Sequence, residues 1–428
     1  MRRLHFTFIL VAIVSACFVG VARNAASPTI PLCPGLTIVT AVSQQDGDYE
    51  SIKTVQSVTD SDVRLKYSVE RLVEDWLSSG PPKLLKYTLY RTVRRSDLDS
   101  AILYEQQFST ELPEMVPETT AIGTSAAVLN ALKTKGEAKL GIFIAYSQTK
   151  PSLDRNTHPN VYDNQMVATI TRVGNAPVML QVIVNDVRVE LPSIQARGDF
   201  FGDKSEFFFL DDEKNPLALA FRIGIDFIKP LDPAQIEQCA AARKSGSNAF
   251  PLRCDLPNGA ARDALRVIKI TFRCGAPAAT PAGNVNADTG AGQPSGGQPA
   301  GGASTLEKSL SDTGKADVYS IYFSFNSDVI REESEPTLKE IAELLRRHGD
   351  WKLQVNGHTD GIGTDQYNLE LSKRRAVAVR EALVKRYGID AGRLTSQGFG
   401  KSQPKDTNDT LEGRARNRRV ELNLRGNG

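Results

Sequence analysis

The feature that most constrains this chain is a stretch with too little to bury. Residues 275–304 read GAPAATPAGNVNADTGAGQPSGGQPAGGAS, and Asp288 is their only charge. Ala, Gly and Pro dominate, and apolar residues show no period. Such a segment cannot bury enough surface to offset the entropy of ordering it. The composition therefore predicts a flexible linker over 275–305. Its r.m.s. reach is roughly 30 Å and its stretched limit roughly 100 Å. The domains on either side are expected to move independently. The linker divides the 428 residues into a front domain, 33–274, and a back domain, 306–428. That division suits the tendency of single cores to stop growing near ~250 residues.

Charge excludes some functions. Lys and Arg number 52 against 50 Asp and Glu, a net charge of +2. There is no global field to draw nucleic acid or an anionic membrane surface. Four His and five Cys make a rich metal site a poor reading.

Residues 1–26, MRRLHFTFILVAIVSACFVGVARNAA, start with Arg2, Arg3 and His5. An apolar run from Phe6 to Ala22 and small residues follow, the pattern of a secretory signal peptide. Two other readings compete. Val14-Ser15-Ala16-Cys17 resembles a lipoprotein acylation motif, and a retained anchor would use the same apolar run. Beyond Cys17 stand Cys33, Cys239, Cys254 and Cys274. An even number in an exported chain favours disulfides over free thiols. Four Cys allow three pairings. Cys33 and Cys274 lie near the two ends of the front domain, so 33–274 with 239–254 is the expected set. No CxxC spacing and no nearby His supports a metal site.

The front domain reads as mixed α and β with β dominant. Leu72, Val73, Trp76 and Leu77 follow helical spacing, with Gly80 past the end. Thr124 or Ser125 caps a helix through Leu132, and Asp232-Pro233 opens another that contains Cys239. Strands are expected at 167–173, 178–184, 207–210 and 217–225, with a hairpin turn at Asn185-Asp186. No catalytic constellation stands out. Asp211-Asp212 reads as a solvated turn, His158 as a surface residue, and Gly123-Thr-Ser-Ala as no known nucleophile motif.

The back domain is more explicit. A strand is expected over Val318–Phe323, a helix capped by Ser334, and a strand through Trp351, Leu353 and Val355. A long helix opened by Asn368 and stopped by Gly388 follows, then strands at 394–397 and 420–424. The order is βαβαβ, with the helices on one face of a sheet. Gly357-His-Thr-Asp360-Gly-Ile-Gly-Thr364 lies between the second strand and the long helix. Arg375 falls two helical turns after Asn368, on the same side. Arg414, Arg416, Arg418 and Arg419 crowd a loop before the last strand. One carboxylate facing several guanidinium groups suits a zwitterion. Asp takes an ammonium, and Arg grips a carboxylate with two N–H groups.

These residues resemble the OmpA-like C-terminal domain, the peptidoglycan-binding module of bacterial envelope proteins. The likeness runs from Tyr322-Phe-Ser-Phe-Asn326 through Gly357-His-Thr-Asp360, Asn368-Leu-Glu-Leu-Ser372, Arg374-Arg-Ala-Val377 and Gln397-Gly-Phe-Gly400. It ends at Glu412-Gly-Arg-Ala-Arg-Asn-Arg418-Arg-Val-Glu421. The resemblance implies a site for the diaminopimelate of a peptidoglycan stem peptide. Asp360 would receive the ammonium of its amino-acid end and Arg375 the carboxylate. Asn326, Thr364, Asn368 and Arg418 would line the pocket. Arg419 is expected in a structural ion pair or at the surface, and His358, pointing away from Asp360, in packing or at the surface.

The expected fold class is thus α+β: a β-rich mixed N-terminal domain, a linker, and an OmpA-like sandwich of helices on one sheet. The resemblance implies a non-catalytic envelope protein that needs no cofactor and binds no nucleic acid. It would tether the outer membrane, or a periplasmic protein partner of the front domain, to the cell wall. The alternative is a wall-targeted enzyme with its catalytic domain in 33–274. An integral β-barrel there would need repeated ten-residue alternation, which helices interrupt.

Overall fold

Apolar residues on both faces of a strand call for burial on both sides, and the first strand shows how that demand is met. In Thr37-Ile-Val-Thr-Ala-Val, Ile38 and Val42 point into one core while Val39 and Ala41 point into another. The computed structural model describes residues 28–44, 47–73, 83–108, 113–143, 165–200, 202–225, 263–274 and 304–425, with Ala234, Glu237, Ala240 and Ala241. The expected signal peptide with Cys17, most of the linker, His158, Trp76 and Leu77, Cys239 and Cys254 lie outside these residues.

The front domain is built on strands β1 (Thr37–Gln44), β2 (Gly47–Val58), β3 (Asp62–Val73) and β4 (Lys83–Arg94). Short strands β5 (Leu103–Tyr104) and β6 (Thr119–Thr120) follow, then β7 (Glu137–Phe143) and β8 (Gln165–Arg172). Next come β9 (Val178–Val184), β10 (Val187–Phe200), β11 (Asp203–Leu210), β12 (Ala218–Ile223) and β13 (Asp263–Thr271). Helices α1 (Arg95–Ser100) and α2 (Ala126–Thr134) interrupt the series. The strands pair in the order β4-β3-β2-β1-β13-β12-β11-β10-β8-β7-β5-β6. Strand β9 pairs with both β10 and β13, so β9 to β13 close into a ring. Phe207 stacks on Phe209 and Phe221 in the core of this domain.

The strands expected at 167–173, 178–184, 207–210 and 217–225 correspond to β8, β9, β11 and β12. Asn185 and Asp186 both take the left-handed conformation, with φ of 47° and 64°, which the two-residue hairpin turn requires. Ser125 caps α2, its hydroxyl accepting from the Val128 N–H. Leu72 and Val73 depart from the expectation: they end β3, because pairing along the whole length of β4 outweighs their helical spacing. Asp211 pairs with Lys133 at 3.0 Å, and the Asp212 carboxylate accepts from the Lys214 N–H. Cys33 and Cys274 are disulfide-bonded and close the domain end to end.

The back domain has strands β14 (Lys315–Val318), β15 (Leu353–His358), β16 (Leu394–Gly400) and β17 (Val420–Leu424) in the order β14-β17-β15-β16. Its helices are α3 (Thr305–Thr313), α4 (Glu335–Arg347), α5 (Asp365–Lys385) and α6 (Leu411–Asn417). It owns a separate core of Leu338, Ile341, Leu345, Val355, Val379, Leu383 and their neighbours. Three expectations shift. The first strand ends at Val318, and Ser334 explains why: its hydroxyl bonds both the N–H and the C=O of Tyr322 and holds 319–323 off the sheet. Ser334 is thus not a side-chain cap for α4. The long helix begins at Asp365 with Thr364 as its cap, and Asn368 lies within it.

The two domains are docked, contrary to the independence that linker length suggested. Val39, Ala41, Ile52 and Ile268 of the front sheet bury against Tyr322 and Ala415. Polar groups complete the contact. Asp186 accepts from the Tyr319 N–H at 2.6 Å and the Ser320 hydroxyl at 2.8 Å. Glu70 accepts from the Phe325 N–H at 2.7 Å, and Arg266 pairs with Glu412 at 2.6 Å. A linker sets how far domains can part; the complementarity of their surfaces sets whether they do.

Candidate functional site

Two glycines bring the helix α5 unusually close to the sheet. A Cβ on Gly357 would lie 2.1 Å from the Ser372 carbonyl oxygen, and one on Gly398 would lie 2.4 Å from the Lys373 nitrogen. No side chain fits either gap, so β15 and β16 meet the helix backbone directly. Asp360, just past the end of β15, and Arg375, one turn after Ser372, are thereby brought to one pocket.

That pocket has a volume of about 290 Å³ and lies between the domains. Asp360, Asn368, Arg375 and Arg418 line it from the back domain, and Glu50 and Lys269 from the front. The Asp360 Oδ1 accepts from the Ile362 N–H at 3.0 Å, which folds the glycine loop around the carboxylate. Its Oδ2 accepts from Arg418 Nη1 at 2.5 Å, while Arg418 Nη2 donates to Glu50. Burial alone would lower the Arg418 pKa, but the Glu50 and Asp360 carboxylates outweigh it and raise it above its ordinary value. Burial likewise favours a neutral Glu50, yet Arg418 and Lys269 hold its pKa down at about 2. Lys269 is lowered by burial to about 8, with Glu50 opposing.

Arg375 is arranged differently. Its Nε donates to the Ser327 carbonyl at 2.9 Å, and its guanidinium lies 4.9 Å from the centre of the Phe323 ring. These contacts orient the fork and leave Nη1 and Nη2 without a hydrogen bond among the described residues. Burial lowers its pKa to about 10, with Asp360 opposing, so it stays charged at neutral pH. Asn368 is buried and donates to the Ile362 carbonyl at 2.8 Å, tying the loop to α5. Asn326, left-handed with φ of 53°, accepts a hydrogen bond from the Tyr367 hydroxyl at the pocket rim. Thr364 does not line the pocket; its hydroxyl accepts from the Tyr367 N–H at 3.2 Å.

The arginine cluster resolves into separate tasks. Arg414 and Arg416 belong to α6, not to a loop. Arg414 donates to the Asn408 carbonyl, and Arg416 pairs with Asp406 and donates to Gln181 of the front domain. Arg419 is buried and pairs with Asp317 at 2.9 Å. Of the four, Arg418 alone pairs with Asp360 among the described residues. His358 is buried and stacked on Phe399.

Sequence reasoning missed Glu50 and Lys269. Each is one charge in an alternating strand, and only docking brings it to the pocket. It also missed a buried group in the front domain, where Arg91 pairs with Glu105 at 2.9 Å and Lys53 donates to the Ala121 carbonyl at 2.6 Å. The cavity beside Lys53 is about 20 Å³, room for a water and little else, so this group reads as part of the core. Among the described residues, no group of three His, Cys, Asp or Glu side chains is placed to hold a metal ion, and no helix is long and apolar enough to cross a membrane.

A carboxylate braced by its own loop, with an oriented guanidinium across the pocket, is the arrangement that a comparison with known proteins illuminates. A model of the OmpA family matches residues 322–418. Residues 322–418 are an OmpA family domain. The chain is 43% identical over 104 residues to the outer membrane porin F of Pseudomonas aeruginosa, covering 24% of this chain and 30% of that protein. It is 36% identical over 108 residues to the peptidoglycan-associated lipoprotein of Mesorhizobium japonicum, covering 25% of this chain and 64% of the relative. The chain thus spans less than two thirds of either relative. Among solved structures, the peptidoglycan-associated lipoprotein from Burkholderia pseudomallei is 31% identical with a TM-score of 0.23, covering 24% of this chain and 88% of that one. The matched residues include Asn326, Asp360, Thr364, Asn368, Arg375 and Arg418.

Proposed function

We propose that this protein is a non-catalytic component of the cell envelope that binds peptidoglycan noncovalently through its OmpA family domain. The ligand is the diaminopimelate of the stem peptide. The carrying observation is that Arg375, whose Nη groups have no hydrogen bond among the described residues, lines one pocket with Asp360. A carboxylate accepts two parallel N–H bonds from such a fork. Asp360 retains acceptor capacity for the ammonium of the same amino-acid end. Asn368 and Arg418 shape the loop that holds Asp360, Asn326 sits at the rim, and Thr364 acts through the start of α5. The similarity to a protein named peptidoglycan-associated lipoprotein supports this reading. The relatives named as outer membrane proteins support placement at the outer membrane or in the periplasm. The division that goes with this reading is a signal peptide at 1–26, a β-rich domain over 33–274, a linker over 275–305 and a wall-binding domain over 306–428. The front domain would join the outer membrane, or a periplasmic protein, to the wall.

The test is pulldown of the full chain on purified cell wall. Asp360→Ala and Arg375→Ala are each expected to abolish retention while the Tm stays near that of the parent. Free diaminopimelate should release the parent protein. Retention of both variants at the parent level overturns the site.

A further inference from the structure

Arg418 stands between two carboxylates, and the second comes from the other domain. Strand β2 alternates, so Glu50 and Ile52 share a face. Ile52 is buried with Val39, Ala41, Ile268, Tyr322 and Ala415, which fixes how the sheet sits on the OmpA family domain. Two residues away, Glu50 is carried to the pocket and bonds Arg418 Nη2, while Asp360 takes Nη1. Lys269, on the neighbouring part of the sheet, lines the same wall. Three other charged lining groups have ion-pair partners of their own: Glu70 pairs with Lys86, Arg331 with Glu333, and Arg419 with Asp317. Arg414 donates to the Asn408 carbonyl. Glu50, Asp360, Arg418 and Lys269 then sum to no net charge, while Arg375 and Arg414 each add one positive charge. The two carboxylates are the groups that can offset a ligand ammonium, so they favour a ligand that brings one with its carboxylate. Without Glu50 the positive excess rises by one, and a carboxylate alone is stabilised there as well.

We infer that Glu50 of the front domain is a specificity residue of the wall-binding pocket. It makes the docked, full-length protein discriminate against anionic ligands that lack an amine. The inference rests on the function proposed above. It also assigns the front domain a part in recognition, beyond that of a passenger.

Two soluble probes separate the outcomes: diaminopimelate, and pimelate, which has the same two carboxylates and no amines. Binding to the full chain is measured by calorimetric titration. The parent is expected to prefer diaminopimelate. Glu50→Gln should reduce that preference about 10-fold, chiefly by tightening pimelate, since a charge-assisted contact carries about that factor. Glu50→Asp, which keeps the charge, should restore most of it. An unchanged preference in Glu50→Gln overturns the inference. So does equal tightening of both probes, which would make Glu50 a mere obstruction. If the parent binds neither probe, or Arg375→Ala binds diaminopimelate undiminished, the pocket itself has been misread and both conclusions fall.

Discussion

His358 shows how a residue beside the site serves the fold. It is 2% exposed, stacked on Phe399, and neither ring nitrogen has a hydrogen-bond partner among the described residues. Burial first, then the Arg419 charge, lowers its pKa from 6.5 to about 4. The native imidazole is therefore neutral while the unfolded one gains a proton below pH 6.5. Its contribution to stability is complete above that pH and is lost as pH falls from 6.5 toward 4. His358→Phe keeps the stack and removes the titration. Thermal melts at pH 7.5 and pH 5 should show a smaller loss of Tm in the variant than in the parent. An equal loss would mean that His358 is not the group responsible. The expectation that His358 points away from Asp360 does not follow from alternation, which puts residues two apart on one face, and both residues line the same pocket. That the ring has no polar partner depends on what lies beyond it.

At the scale of elements, the site depends on how closely α5 lies on β15 and β16. Gly357→Ala would drive a Cβ into the Ser372 carbonyl, backbone against backbone, where no side chain can yield. Expected destabilisation is about 3 kcal/mol, the upper range for overpacking. Wall binding should weaken too, because Ser372 and Arg375 share a helix. Gly388→Ala is the control. Gly388 has a φ of +67° and nothing within 4 Å of its would-be Cβ, so only the left-handed penalty of about 1 kcal/mol applies. Denaturant titration of both variants checks the ranking, and similar values would refute the close-approach argument. The glycines were legible as points where backbone nears something, but not that the neighbour is the protein's own helix. Element boundaries followed the same rule. Periodicity located α4 and α5, whereas both starts differ from expectation: Tyr322 claims the Ser334 hydroxyl, and Thr364 rather than Asn368 caps α5.

At the scale of the whole molecule, Cys33 and Cys274 tie together residues 241 apart, across the strands that form the front sheet. Constraining so long a loop in the unfolded chain is worth about 2–5 kcal/mol. Cys33→Ser should lower the Tm of the full chain by several degrees and narrow the Tm difference between reduced and oxidised samples. A variant melting with the parent would show that the bond is not formed in solution. Near one end of that loop, Thr271 and Tyr322 share a hydrogen bond of 3.2 Å across the domain interface, so looser closure should also loosen docking. Sequence by itself pointed to two units, to strands β8, β9, β11 and β12 of the front sheet, and to Asp360 and Arg375 within a recognisable domain. These depend on local composition, on alternation and on short motifs, all of which a single segment carries. Only the tertiary structure decided that the domains dock, that Glu50 and Lys269 complete the pocket, and that of the clustered arginines Arg418 alone pairs with Asp360 among the described residues. Those outcomes turn on which surfaces meet between segments far apart in the chain. No local pattern encodes such a meeting, because its energy belongs to both surfaces together.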